Sequence, residues 1–467
     1  MDGEGKLTRR RRPLVGLLAA ELVSLTGSRM SMVALPWFTL VSTGSASRTG
    51  LVAFAETLPY VLVCALGGPL IDRIGARRAS ILADLGSGVA VAAVPLLHLA
   101  GGLHFGTLVA LVAVAGLLRA FGDNAKRVIF PETVEAAGMQ MTRATSVHDG
   151  LQRLATLLGA PLAGVLIAVL DAPTVLLVDA ATFVAGAGLL ALAVPGRRRS
   201  PDAEPAVDAP EESYLAALRV GLHYLRREPL IHGIVLLLFV TNLADAAYSG
   251  IIAPVWATEV VRSSVALGLL TATFATGAVL GNVVFTVVAP KVPRHAVFAV
   301  GFLIAGAPRF VALAFLDPLW AVYLVSFAAG VSIAAINPIL GAVSYERIPA
   351  PLRARVLGLT QAAAWAGIPL GGLLGGLAVT GLGLTGAAVA FGAAYLAVTL
   401  LPFVMPVWRE LDRPPPATAE DRDEPSVEDS DVPSVEDSDE PSQPRPALAG
   451  PAGPVRRTSG PASDPGT

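Results

Sequence analysis

Apolar runs of transmembrane length recur along this chain from Leu14 to Trp408, and positive charge collects in every second gap between them. A hydrocarbon layer about 30 Å thick takes about 20 mostly apolar residues of helix. Runs fitting that requirement lie at about 14–41, 50–71, 79–100, 105–127, 146–170 and 173–195. A second set lies at about 231–258, 266–289, 296–316, 319–341, 355–379 and 383–407. Each run is apolar all round, without the ten-residue alternation of a membrane barrel strand, so helices are expected. The fold class that follows is an all-α integral membrane protein of twelve transmembrane helices in two six-helix bundles.

Orientation follows from lysine and arginine. With the N-terminus in the cytoplasm, Lys6, Arg9 to Arg12, Arg73, Arg77, Arg78, Lys126, Arg127 and Arg143 fall inside. So do Arg197 to Arg199, Arg219, Arg226, Arg227, Lys291, Arg294, Arg347, Arg353, Arg355, Arg409 and Arg413. The opposite loops hold only Arg48 and Arg262. This pattern predicts an even number of spans with both termini cytoplasmic, in the plasma (inner) membrane.

The same punctuation divides the chain. Residues 1–13 form a basic cytoplasmic N-terminus, 14–195 a first six-helix bundle, 196–230 a linker, 231–408 a second bundle and 409–467 a tail. The linker opens with a Pro/Asp/Glu-rich stretch that reads as flexible. Helical spacing of Tyr214, Leu215, Leu218 and Leu222 beside Arg219 and Arg226 then predicts an amphipathic helix on the inner membrane surface. The tail is proline-rich and acidic and repeats Pro-Ser-Val-Glu-Asp-Ser-Asp at 425–431 and 433–439, a composition that predicts disorder.

Composition excludes several classes. Of 467 residues 54% are hydrophobic and only 15% charged, too few charges to cover a soluble protein of this size. The net charge of −2 gives no reason to expect nucleic acid as a partner. One cysteine, Cys64, in an apolar run, rules out an intramolecular disulfide, and with six scattered histidines it offers no metal site. A Walker-type phosphate loop, a nucleophile elbow and a paired-acid motif are all missing from the sequence, so neither ATP hydrolysis nor another enzyme activity is expected, and no cofactor. The first apolar run is too long for a cleavable signal segment, and no loop resembles a selectivity filter.

The halves also repeat. Gly150-Leu151, Gly159, Pro161, Leu162, Gly164 and Leu166 in the fifth span recur 208 positions later as Gly358-Leu359, Gly367, Pro369, Leu370, Gly372 and Leu374 in the eleventh. Both stretches are fifth in their half, so the repeat is parallel. Small residues admit close helix approach, and proline frees a carbonyl and softens the helix.

The loop between spans 2 and 3 reads Gly68-Pro-Leu-Ile-Asp72-Arg73-Ile-Gly75-Ala76-Arg77-Arg78. Glycine, three residues, acid, base, any residue, glycine and a basic cluster resemble the signature loop of the major facilitator superfamily. The resemblance implies a cytoplasmic latch built from Gly68, Asp72, Arg73, Gly75, Arg77 and Arg78, with Asp123 of span 4 able to complete it; Ala76 replaces a usual basic residue. Gly159-Ala160-Pro161-Leu162-Ala163-Gly164 is similar to that family's antiporter motif, with Ala160 in place of a glycine. Pro131-Glu132, Arg143-Ala144 and Asp179 to Phe183 resemble its drug, macrolide and siderophore exporter branch. The resemblance covers about 14–408 and implies alternating access of two halves, a monomer, and export of a small molecule in exchange for protons.

Charges near the bilayer midplane are costly and usually face a cavity or a partner. Arg29, Glu56, Arg119, Asp123, Asp245 and Arg309 fall inside expected spans. The family lines its cavity with spans 1, 4, 7 and 10, which favours Arg29, Arg119, Asn242, Asp245 and Asn337. Glu56 and Asp245, beside Arg29 or Arg119, are the candidate proton-coupling groups. Glu56 is placed to pair with Arg29, and Arg119 with Asp123 four residues on. Tyr248, near Asp245 on one face, is a cavity candidate; Trp37, Phe38, Tyr60, Trp256, Tyr345 and Trp365 are expected in packing or at interfaces. Asp84 and Asp179 near span ends are expected to be structural. Two further readings share these features: a proton-coupled importer with different cavity groups, and a non-transporting sensor or scaffold resting only on the tail.

Overall fold

The computed structural model describes residues 2–66, 68–195, 222–348 and 352–412. The acidic tail and the amphipathic stretch from Tyr214 lie outside the described residues, apart from a helical turn over 222–227, as do the side chains of Cys64, Asp72 and Tyr345.

A helical stretch stands at each expected position. Spans 1 to 6 are Asp2–Thr43, Ala46–Leu66, Ala76–Leu99, Phe105–Ala136, Met141–Val169 and Ala172–Ala193, with a short helix, Gly68–Ile74, ahead of span 3. Span 7 is Pro229–Ala247 and continues to Val261; span 8 is Ser264–Val288. Span 9 is Arg294–Ala305 with Ala307–Phe315, and span 10 is Leu319–Ile333 with Ile336–Arg347. Spans 11 and 12 begin as Arg353–Trp365 and continue through Gly367–Val404, which turns over at Gly383 (φ 72°). Only glycine takes that backbone without strain against a Cβ, and it separates spans 11 and 12 where the sequence places a gap at 380–382. Among the described residues nine stretches are long and apolar enough to cross a membrane, Val356–Val404 counting once. Span 4 runs past its expected end at 127, and Lys126, counted among the cytoplasmic charges, is only 3% exposed within it.

Second-half helices are interrupted more often, and the causes are local. Span 9 breaks at Gly306, where a methyl would strike the Tyr395 ring, and Pro308 opens the next segment. Span 7 widens into π-helical turns at Tyr248–Ile252 and Trp256–Val261. Between them Pro254 has no N–H to donate and its ring crowds the carbonyl four residues back, which an added residue per turn relieves.

Within the first half, span 1 packs on spans 5 and 6, span 3 on spans 4 and 6, and span 2 on span 4. In the second half span 7 packs on the segment bearing span 11, and span 8 on span 10. The halves meet through span 5 against span 8 and span 2 against span 11. Glycines make both contacts close. A Cβ at Gly164 would sit 2.6 Å from the Ser264 carbonyl, and one at Gly268 2.8 Å from that of Ala160. Across the other contact, a Cβ at Gly50 would sit 2.5 Å from the Gly372 carbonyl and one at Gly376 2.5 Å from that of Ala46. Ser264 Oγ donates to Gly164 O (2.9 Å), while Ser47 bonds Thr380 through their hydroxyls. These contacts gather at the end away from the basic loops. Toward the basic end Gly150 and Gly358 have open space around them.

Candidate functional site

The repeated motif seats the helices that carry charge. Gly159 lets span 5 close on span 1 at Arg29, where a methyl would come within 2.6 Å of that residue's Cβ. Its repeat partner Gly367 does the same for span 11 on span 7 at Leu243, beside Asp245. Pro161 lies within a continuous helix, whereas Pro369 opens a new segment after a break at Ala366. Gly116 leaves room for the Glu56 carbonyl, which brings span 4 against span 2 one turn before Arg119.

The first-half cluster follows. Arg119 Nη2 donates to Glu56 Oε1 at 2.8 Å, both side chains being mostly buried. The expected Glu56–Arg29 and Arg119–Asp123 pairings are not what forms. Asp123 Oδ2 accepts the Tyr60 hydroxyl at 3.1 Å, the Arg119 guanidinium lies 5.5 Å from the centre of the Tyr60 ring, and Arg29 Nη1 reaches the Met32 sulfur at 3.4 Å. Helical spacing made both pairs feasible; the rotation of spans 2 and 4 about their axes chose the inter-helix partner. Glu56, Arg119, Ser31 and Asp179 share a cavity of about 30 Å³ whose other walls are apolar, including Val94, Leu176 and Phe183. That volume exceeds the roughly 10–15 Å³ needed by one water. Asp179, expected to be structural, is 1% exposed and accepts from Ser31 Oγ of span 1.

A second cluster lies in the other half. Arg309 Nη2 donates to Asp245 Oδ1 at 2.6 Å, and its guanidinium lies 5.0 Å and 5.1 Å from the ring centres of Tyr248 and Phe274. Arg309 is almost wholly buried while the Asp245 side chain is 40% exposed, so the carboxylate faces open space. Tyr248 is edge-on to Phe310. Asn242 instead donates to Ala364 O (3.0 Å), just ahead of the break in span 11, and Asn337 is exposed beside the break in span 10. Trp256 is packed inside, 2% exposed.

Near the basic end, Arg77 donates from Nε to Val194 O (2.6 Å) and from Nη2 to Ala191 O (2.7 Å). It closes the last turn of span 6, where free carbonyls and the helix dipole favour a cation. Gly75 (φ 87°) makes the corner between the short helix begun by Gly68 and span 3, and Arg73 and Arg78 are exposed. Sequence reasoning did not link Lys126 to Asp84. They form a buried pair at 3.0 Å between spans 4 and 3, hidden because Lys126 sits at the frayed end of an apolar run. Among the described residues no cluster of histidine, cysteine and acid is arranged for a metal.

Interrupted apolar helices, charge pairs held inside the bundle and two glycine-lined contacts between halves describe a helical membrane protein of two packed bundles. Residues 11–430 match the family described as transmembrane secretion effector, and the chain belongs to that family. Among curated proteins it is 28% identical over 418 residues to the multidrug efflux pump Tap of Mycobacterium tuberculosis, covering 89% of this chain and 98% of that protein. It is 29% identical over 406 residues to the Tap pump of Mycolicibacterium fortuitum, covering 86% and 98%. Among solved structures, a point mutant of the nucleoside transporter NupG superposes with TM-score 0.71 at 12% identity, over 84% of this chain and 99% of that one. A bacterial homologue of the lysosomal transporter Spinster, inward-facing and unoccupied, gives 0.61 at 16%, over 87% and 97%. The family and these relatives are transporters.

Proposed function

We propose that the protein exports small molecules, drugs or natural products among them, from the cytoplasm in exchange for protons, as a monomer in the plasma membrane with both termini inside. The observation that carries this reading is the pair of acid–arginine contacts inside the bundle, Glu56–Arg119 beside a cavity and Asp245–Arg309 with its carboxylate partly exposed, one in each half. A buried carboxyl that changes protonation as an arginine approaches or leaves it ties proton movement to rocking of the halves. Each proton entering with the membrane potential contributes about 2.3 kcal/mol per 100 mV. Direction is supported by the two relatives named as multidrug efflux pumps. The glycine contacts between the halves, gathered at the end away from the basic loops, support a state that opens on the cytoplasmic side, the one that loads an exported substrate.

Everted vesicles carrying the protein test both parts. Uptake of ethidium into them under an imposed inward-acid gradient, abolished by an uncoupler, is the expected result. Gradient-driven extrusion from the same vesicles would establish import instead. The loop Gly68–Arg78 is proposed as the cytoplasmic latch, with Arg77 holding span 6 in this state.

A further inference from the structure

Among the described residues, acids that face other spans from within the bundle include Glu21, Glu56, Asp84, Asp123, Asp179 and Asp245; Glu21 meets His148, and Asp123, only partly buried, takes the Tyr60 hydroxyl. Three have a lysine or arginine in contact. Glu56 has Arg119, Asp84 has Lys126 and Asp245 has Arg309. Asp179 differs: among the described residues its polar contacts are hydroxyls, Ser31 Oγ at Oδ2 and Thr182 Oγ1 at 3.3 Å from Oδ1. The Thr182 hydroxyl lies closer to the Asp179 carbonyl, 2.7 Å, so it gives the carboxyl little.

A fully ionised carboxylate buried without a cation in contact is far costlier than a neutral carboxyl. The Ser31 contact suits both forms. Ser31 donates to a carboxylate, and a protonated carboxyl donates to the Ser31 oxygen. The seat is shaped for the acid as well, because a methyl at Gly27 of span 1 would overlap Asp179 Oδ1 and Thr182 Oγ1. Asp179 opens onto the same cavity as Glu56 and Arg119, which face it from spans 2 and 4. Asp84 of span 3, which packs on span 6, is occupied by Lys126.

We propose that Asp179, rather than Glu56 or Asp245, is the carboxyl that carries the proton through the transport cycle. In the state described here Asp179 holds the proton and Arg119 is engaged by Glu56. Movement of Arg119 across the shared cavity toward Asp179 expels that proton to cavity water and leaves a carboxylate paired with the guanidinium. Return of Arg119 to Glu56 leaves Asp179 to take a proton from the opposite side. One proton is bound and one released per cycle, and no other group changes covalently. Ser31, Gly27 and Thr182 position the acid.

This proposal rests on the proton-coupled reading, and two measurements separate them. The first is an infrared pH titration of purified protein in lipid, which follows the carbonyl band of protonated carboxylic acids without any substrate. The expected result is a titrating band that is absent in Asp179→Asn, retained in Asp245→Asn, moved to lower pH in Glu56→Gln because Arg119 is then free to approach Asp179, and moved but not lost in Ser31→Ala. Asp179→Glu restores it should the asparagine variant fold poorly. The second is ethidium accumulation driven by a pH gradient, expected to fall at least tenfold in Asp179→Asn and to return in part in Asp179→Glu. A band that survives in Asp179→Asn and vanishes in Glu56→Gln overturns the proposal, as does undiminished gradient-driven accumulation in Asp179→Asn. Absence of gradient-driven movement in the unaltered protein overturns the proton-coupled reading alone, and the infrared band still decides Asp179.

Discussion

Lys126 and Asp84 show how much a single charge depends on its partner here. Each is nearly inaccessible, and Gly122 faces the carboxylate, a Cβ there lying 3.0 Å from Asp84 Oδ1. Removing one member of a buried pair leaves an uncompensated charge and costs about 3–5 kcal/mol, whereas replacing both by apolar residues is often neutral. Lys126→Met should therefore lower the thermal midpoint in detergent well below that of the double variant Lys126→Met/Asp84→Leu. Equal losses in the two would show that the residues act independently. The Glu56–Arg119 pair should behave differently, since it is placed to change during transport. Arg119→Gln is expected to reduce gradient-driven ethidium accumulation at least tenfold while downhill counterflow remains measurable. At this scale the sequence named the buried charges but not their pairings. Glu56, Arg119, Asp245 and Arg309 stand out in apolar runs by type alone, yet which side of a helix each faces depends on packing that periodicity in an all-apolar span does not encode.

Whole helices were more legible. Twelve runs became twelve helical stretches because lipid leaves the backbone no alternative to internal hydrogen bonding, and the repeat in spans 5 and 11 marked two helices that do meet the opposite half. Interruptions were less visible: Pro254 is plain in the sequence, but two π-helical turns around it are not, since they accommodate neighbours rather than obey a pattern. Gly383 separates spans 11 and 12 by a backbone conformation reserved for glycine. Gly383→Ala should destabilise the protein by about 1–3 kcal/mol, read as a fall in thermal midpoint. Gly268→Val acts on an interface instead, its side chain meeting the Ala160 carbonyl. It is expected to push the outer ends apart and raise the labelling of cysteines placed in the cavity from the outer side. Labelling equal to that of the parent would show that the contact does not hold the outer end closed.

For the molecule as a whole, the closure between the halves at the end away from the basic loops can be locked. Ser47 and Thr380 touch across the halves, and Cys64 is the single native cysteine. In a Cys64→Ala background, Ser47→Cys with Thr380→Cys should form a disulfide on oxidation, stop ethidium movement and recover it on reduction. Continued transport in the oxidised form would place the moving boundary elsewhere. The two glycine-lined contacts carry one more implication. Span 5 against span 8 and span 2 against span 11 are the same meeting of a fifth helix with a second helix, made twice in opposite senses. That reciprocity is the signature of an isologous two-fold dimer, here with its subunits fused into one chain. The join between the halves is thus built like a subunit interface, from contacts within residues 1–195 and 222–412. Residues 1–195 and 222–412 produced as separate polypeptides in one cell should find each other in the membrane and co-purify.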